Sequence, residues 1–158
     1  MAMTELAVQK SVTVEASVDK AFQVFTDRID DWWIREHHIG TAELDRVVIE
    51  PREGGRWYEV GVDGSECDWG RVVAWEPPNR LVLGWQIGAD WQYDPQLLTE
   101  VEVHFVSVGD NMTRVDLEHR DLDRFGASGE QMREGFESPG GWQGLLDAFA
   151  AVAQSPTA

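Results

Sequence analysis

The chain has a single cysteine, Cys67, so a disulfide framework within it is excluded. Basic residues are scarce: 13 Lys and Arg stand against 29 Asp and Glu, for a net charge of −16. Binding DNA or RNA requires Lys and Arg to neutralise phosphates, so no nucleic-acid partner is expected, and no anionic membrane surface for the same reason. Long apolar runs are also missing. None approaches the roughly 18 residues of a membrane span, and the opening MAMTELAVQKSVTVEAS lacks the apolar segment of a secretion signal. The expected address is cytoplasmic. The sequence contains no P-loop, no Rossmann glycine pattern, no HExxH and no GxSxG, and nothing in it implies a cofactor. Without an internal repeat or a long linker, residues 1–158 read as one domain, with its core over about 8–153 and a frayed tail over 154–158.

What is present is apolar and aromatic. Hydrophobic residues make up 42% of the chain and eight of its residues are Trp, which points to a wide, rigid apolar interior or cavity lining. Leu6–Glu15 alternates as a strand, and Ser17 can then cap a short helix with Ala21, Phe22 and Phe25 on one side. A second short helix is expected around Trp32-Trp33. Brief strands follow at Val47–Glu50, Arg56–Val62, Asp68–Trp75 and Leu81–Ile87, punctuated by Asp63-Gly64 and Pro77-Pro78. The last hairpin runs from Leu98–Val108 to Met112–Arg120, and its turn accounts for the sequon-like Asn111-Met112-Thr113. In this hairpin Val101, Val103 and Phe105 share one face, as do Thr113, Val115, Leu117 and His119. Finally, Ser138-Pro139 reads as the start of a long helix whose stripe is Trp142, Leu145, Leu146, Phe149 and Val152. A run of strands with helices at its ends argues for an α+β fold. A curved antiparallel sheet of about six to seven strands would wrap that helix. The acidic, Gly-containing stretch 121–137 has no assigned place.

The run Pro51-Arg52-Glu53-Gly54-Gly55-Arg56-Trp57-Tyr58-Glu59, then Trp69-Gly70-Arg71-Val72-Val73, then Pro77-Pro78-Asn79-Arg80-Leu81 with Trp85, resembles the Hsp90-ATPase-activator-homologue-like branch of the START/Bet v 1-like superfamily. The opening Val14-Glu15-Ala16-Ser17 with Phe22 and Phe25, and Gly141-Trp142 with Leu145 and Phe149, match the same branch. The resemblance implies a helix-grip fold with a cavity between sheet and C-terminal helix. Its members include carriers, cyclases and oxygenase domains, so fold alone does not transfer a function. The eukaryotic activator of Hsp90 carries a further N-terminal domain, which this chain is too short to include. A chaperone partner is therefore not expected.

The lining expected for such a cavity is Trp33, Trp57, Trp69, Trp85, Phe105, Leu117, His119, Trp142 and Leu145, with Trp91 and Phe136 among the further aromatic candidates. Each of these has a plainer reading as core. His119, facing inward with Val115 and Leu117, is a candidate to orient a ligand or act as general base, against a plainer place as a hydrogen-bonded rim histidine. Glu59 and Arg71 sit on neighbouring strands and are candidates for a surface ion pair. Glu36-His37-His38 lacks the further ligands a metal needs and reads as a loop at the pocket mouth. Asp121–Gly126 begins like a calcium loop, but Phe125 and Met132 stand where oxygen ligands belong. Cys67 has no base nearby in sequence and reads as a half-buried thiol. The preferred function is a carrier, sensor or sequestering protein for a small apolar molecule, with no catalytic residue assigned. A cyclase or hydrolase using His119 and a chaperone-activator-like interaction module are the alternatives. Pairing of two copies into a homodimer through a free strand edge stays open.

Overall fold

The computed structural model describes residues 7–155. Seven antiparallel strands form one sheet in the order β1-β7-β6-β5-β4-β3-β2. They are β1 (Val8–Val14), β2 (Leu44–Ile49), β3 (Arg56–Gly61), β4 (Glu66–Glu76), β5 (Arg80–Trp85), β6 (Thr99–Gly109) and β7 (Met112–Arg120). Between β1 and β2 lie α1 (Val18–Thr26) and α2 (Ile29–Trp32). After β7 a 3-10 segment over Leu122–Ser128 leads into α3 (Gly129–Glu137), and α4 (Gly144–Ala153) ends the fold. The α+β architecture is a curled antiparallel sheet gripping C-terminal helices.

Local chemistry explains most of the boundaries. Ser17 caps α1, its hydroxyl accepting the Lys20 N–H at 3.2 Å. The β3–β4 turn is closed by Gly64, at φ +85°, and by the Asp63 carboxylate, which accepts from the Ser65 N–H and hydroxyl. At the β6–β7 turn Asn111 takes the left-handed conformation, φ 54°, as the turn reading of that sequon requires. Register then sets the inward face. Leu81 pairs with Val103 and Val103 with Leu117, while Leu83 pairs with Val101 and Val101 with His119. All six side chains are buried. Where β4 and β5 cross, a Cβ on Gly70 would fall 1.6 Å from the Gly84 carbonyl oxygen, so only glycine lets the strands approach there.

The C-terminal region differs from the long helix expected from Ser138. Ser138 instead closes α3, its N–H bonded to the Glu134 and Gly135 carbonyls, and Pro139–Gln143 form an irregular turn. Gly141, at φ −94° and ψ −132°, breaks the helical path, so the regular helix begins only at Gly144. The stretch 121–137 thus becomes the 3-10 segment and α3, which cover the open end of the sheet. Gln154 and Ser155 are also held rather than frayed: the Gln154 side chain accepts the Glu15 N–H at 3.0 Å, and Lys20 Nζ donates to the Ser155 carbonyl at 2.8 Å. Leu6 and residues 156–158 of the expected strand and tail lie outside the described residues.

The core has two aromatic clusters. At one end Phe22, Phe25, Phe105 and Phe149 fill the space between sheet and helices, with ring centroids 5.1 to 5.6 Å apart. At the other, Trp33, Trp57, Trp69, Trp85 and Trp142 meet edge to face or tilted, at 5.0 to 6.3 Å. Trp32 against Trp33, at 5.8 Å, joins the two. All four rings of the first cluster are buried. The second surrounds open space.

Candidate functional site

A cavity of about 760 Å³ opens at the indole-rich end. Its floor is Trp69 and Trp85 from the sheet with Trp33 and Ile87. Met132 and Phe136 of α3 form one wall, and Trp142 and Leu145 a second. The loop after α2 brings Glu36, His37, His38 and Ile39 to the mouth, opposite Gln131 and Glu134 of α3 and Trp91 of the β5–β6 loop. A volume of this order suits a small organic molecule.

The indoles are fixed by hydrogen bonds to the protein itself. Trp33 Nε1 donates to the His37 carbonyl at 2.8 Å, Trp85 Nε1 to the Ile87 carbonyl at 3.1 Å, and Trp69 Nε1 to the Glu59 carboxylate at 2.8 Å. Trp142 Nε1 donates to His119 Nδ1 at 3.1 Å. With every N–H satisfied this way, these four side chains offer a ligand aromatic surface and no donor. Trp57 stands behind them, fully buried, and its Nε1 has no acceptor among the described residues.

The structure brings Trp33, Trp69, Trp85, Trp142 and Leu145 to the cavity lining, together with the further candidates Trp91 and Phe136, and leaves Trp57, Phe105, Leu117 and His119 behind it. Phe105 belongs to the cluster with Phe22 and Phe25, and Leu117 is buried on the sheet's inward face beside Val103. His119 is wholly buried and fully engaged. Because an indole can only donate, His119 Nδ1 accepts from Trp142. Nε2 therefore carries the proton and donates to Thr99 Oγ1 at 2.8 Å, and the Thr99 hydroxyl donates in turn to the Trp85 backbone carbonyl at 3.2 Å. Burial pushes the imidazole down to about 3, so the ring is neutral. Both nitrogens are occupied, Nδ1 by the Trp142 indole and Nε2 by the Thr99 hydroxyl, and neither is left for a ligand.

Glu59 does not pair with Arg71. Glu59 shares the inward face of β3 with Trp57 and is 1% exposed, and a bulge in the β3–β4 ladder between Trp57 and Tyr58 sets it across from Cys67. Its carboxylate accepts the Ile39 N–H at 2.6 Å, the Gly40 N–H at 3.1 Å and the Trp69 indole. It thereby clamps the mouth loop onto the floor. A Cβ on Gly40 would lie 2.9 Å from Glu59 Oε2 and 3.3 Å from Cys67 Sγ, so the loop needs glycine at this contact. His37 Nε2 donates to the Gly140 carbonyl at 3.1 Å, tying the loop to the break between α3 and α4. Cys67 lies across the ladder from Glu59, and burial together with the Glu59, Asp68 and Asp63 carboxylates pushes its thiol up. It is a poor nucleophile there. Among the described residues no three His, Cys, Asp or Glu side chains converge to hold a metal, and no helix is long and apolar enough to cross a membrane.

Sequence reasoning missed Glu59, α3 and the engagement of His119. Glu59 shares strand parity with Trp57, which was the available signal, but the bulge hides the register. For α3 the signal was the spacing of four between Met132 and Phe136, faint within a polar stretch.

The family model for Activator of Hsp90 ATPase homolog 1-like protein matches residues 15–154. Among solved structures, an anthrahydroquino-γ-pyrone synthase, Txn09, is 41% identical over 92% of this chain and 96% of its own, with a TM-score of 0.65. The self-sacrificing resistance protein CalC from Micromonospora echinospora is 32% identical over 93% of both chains, with a TM-score of 0.69. No curated protein matches the chain.

Proposed function

The chain belongs to the Activator of Hsp90 ATPase homolog 1-like protein family, and we propose that it uses the indole-lined cavity to bind a flat, polycyclic aromatic small molecule. The observation that carries this reading is the set of four anchored indoles. Rigid aromatic faces with no free donor favour a planar apolar ligand held by stacking and area burial. The polar groups of the site, Glu36, His37, His38, Gln131 and Glu134, stand at the mouth, where the ligand's polar substituents would emerge. The name of the 41%-identical structure denotes a fused aromatic ring system, which lends support to the same ligand class. Titration with 1,8-dihydroxyanthraquinone should quench Trp fluorescence saturably, with one site by calorimetry. Linear, unsaturable quenching and no heat of binding across several such ring systems would sink the proposal.

A second reading, that the bound molecule is also closed into a ring here, is favoured by the same relative, a synthase alike over nearly the whole chain. On that reading the proton carriers are mouth groups, His37 first among them, because His119 has no free nitrogen. Incubation with an uncyclised polyketide-type precursor and mass spectrometry would test it. A precursor recovered unchanged over many hours, though bound, leaves a binding protein only.

A further inference from the structure

Seven of the eight Trp side chains are buried or half-buried; Trp91 alone is exposed, at 52%. It sits at the cavity mouth on the β5–β6 loop. The loop's construction makes that placement informative. Trp91 N–H donates to the Gly88 carbonyl at 2.9 Å and Gly88 N–H to the Gln92 carbonyl at 2.9 Å, with Ile87 and Tyr93 bridged beyond them. This is a three-residue hairpin connection, Ala89-Asp90-Trp91, whose last position takes the left-handed conformation. Glycine is the residue suited to that position, since a Cβ there crowds the following carbonyl. The chain has Trp instead, at φ 61°.

A bulky side chain in left-handed backbone is a real outlier, and such strain persists only where the surroundings impose it. Here they do. Beyond the two loop bonds, the Asp90 carboxylate accepts the Gln92 N–H at 3.1 Å, and Asp94 N–H donates to the Gln86 carbonyl at 2.7 Å. The loop would be easier to form with glycine or asparagine and would leave one indole fewer exposed to water. The fold gains nothing evident from Trp91. The cavity does, because Trp91 joins Trp33 and Trp142 in its lining.

We propose that Trp91 is a ligand-contacting residue, an aromatic wall of the mouth that stacks on the outer edge of the bound ring system and helps select flat ligands. This deepens the cavity reading and rests on it. The strain at Trp91 is then a stability cost retained for binding.

Trp91→Asn tests this, because asparagine tolerates the left-handed backbone while removing the ring. Its thermal midpoint should equal or exceed that of the unaltered protein, and its affinity for 1,8-dihydroxyanthraquinone should fall by about tenfold or more, the scale of one lost stacking contact. Trp91→Phe should keep most of the affinity. In the unaltered protein, bound ligand should shield Trp91 from quenching by acrylamide. If the unaltered protein binds and Trp91→Asn binds as tightly, the role of Trp91 is refuted while the cavity reading survives. A midpoint lowered clearly below that of the unaltered protein would make Trp91 a structural residue and overturn the proposal. If the unaltered protein fails to bind any flat ring system, both fall together.

Discussion

His119 shows how a buried polar residue is made to serve apolar neighbours. Its imidazole is neutral because burial holds it at about 3, and its unfolded value is about 6.5. Between these values the unfolded chain binds a proton that the folded chain refuses, so stability falls as pH drops below the unfolded value. The limiting slope is about 1.4 kcal/mol per pH unit. Urea unfolding from pH 6.5 down to 5 should show this loss in the unaltered protein and a flatter profile in His119→Gln. That window lies above the one for Glu102: although burial alone would raise its carboxyl, the Arg80 and Arg120 hydrogen bonds hold it at about 2. Equal slopes in both proteins would mean that the imidazole titrates freely. Removing the donor should be costly as well. Trp142→Phe leaves His119 Nδ1 buried without a partner, a loss of about 1–3 kcal/mol. The double change with His119→Leu should then cost less than the two single changes summed, as a double-mutant cycle would report. Strand alternation alone placed His119 on the inward face. That both nitrogens are engaged was not legible, because the Trp142 donor follows a backbone break that helical spacing does not reveal.

Among the elements, alternation and turn chemistry made the strands readable, since burial on a sheet has a period of two and turns need particular residues. The helices were read less well. The stripe Trp142, Leu145, Leu146 and Phe149 is real, and all four are buried, but it spans a turn and a helix rather than one long helix. Ser138-Pro139 looks like a start signal, yet the same serine closes α3, so one local pattern served two neighbours. Gly141 is the point on which this junction depends. A Cβ there would lie 2.4 Å from the Phe136 carbonyl oxygen and 2.5 Å from that of Gly135. Backbone atoms cannot give way as a flexible side chain can. Gly141→Ala should therefore push α3 from α4, lowering stability by roughly 1–3 kcal/mol and weakening ligand binding, because Phe136 and Trp142 line the cavity on either side of the junction. Gly140→Ala, with open space around the new Cβ, is the control. If both variants melt and bind alike, the close approach at Gly141 is not what shapes the wall.

At the scale of the whole molecule, charge and cavity act together on the choice of ligand. The chain carries a net charge of −16, and a field of one sign extends beyond individual contacts. The lining of the cavity repeats that bias: Glu36 and Glu134 stand at the mouth, and no Lys or Arg lines it among the described residues. Arginine is instead engaged elsewhere, as on the outer face of the sheet, where Arg120 pairs with Glu100 and Glu102, and Arg80 pairs with Glu102. An anionic ligand would enter against the overall field and find no counter-charge at the rim. A neutral ring system of the same shape meets neither obstacle. Anthraquinone-2-carboxylate should therefore bind more weakly than unsubstituted anthraquinone at about 0.01 M salt, where screening reaches only beyond about 30 Å. At about 1 M salt, with the screening length near 3 Å, the gap should narrow, because the long-range part of the repulsion is removed while stacking is not. Calorimetry at the two salt concentrations measures both effects. A carboxylate ligand that binds as tightly as the neutral one at low salt would show that the acidic field does not reach the cavity, and the indoles alone would then set its selectivity.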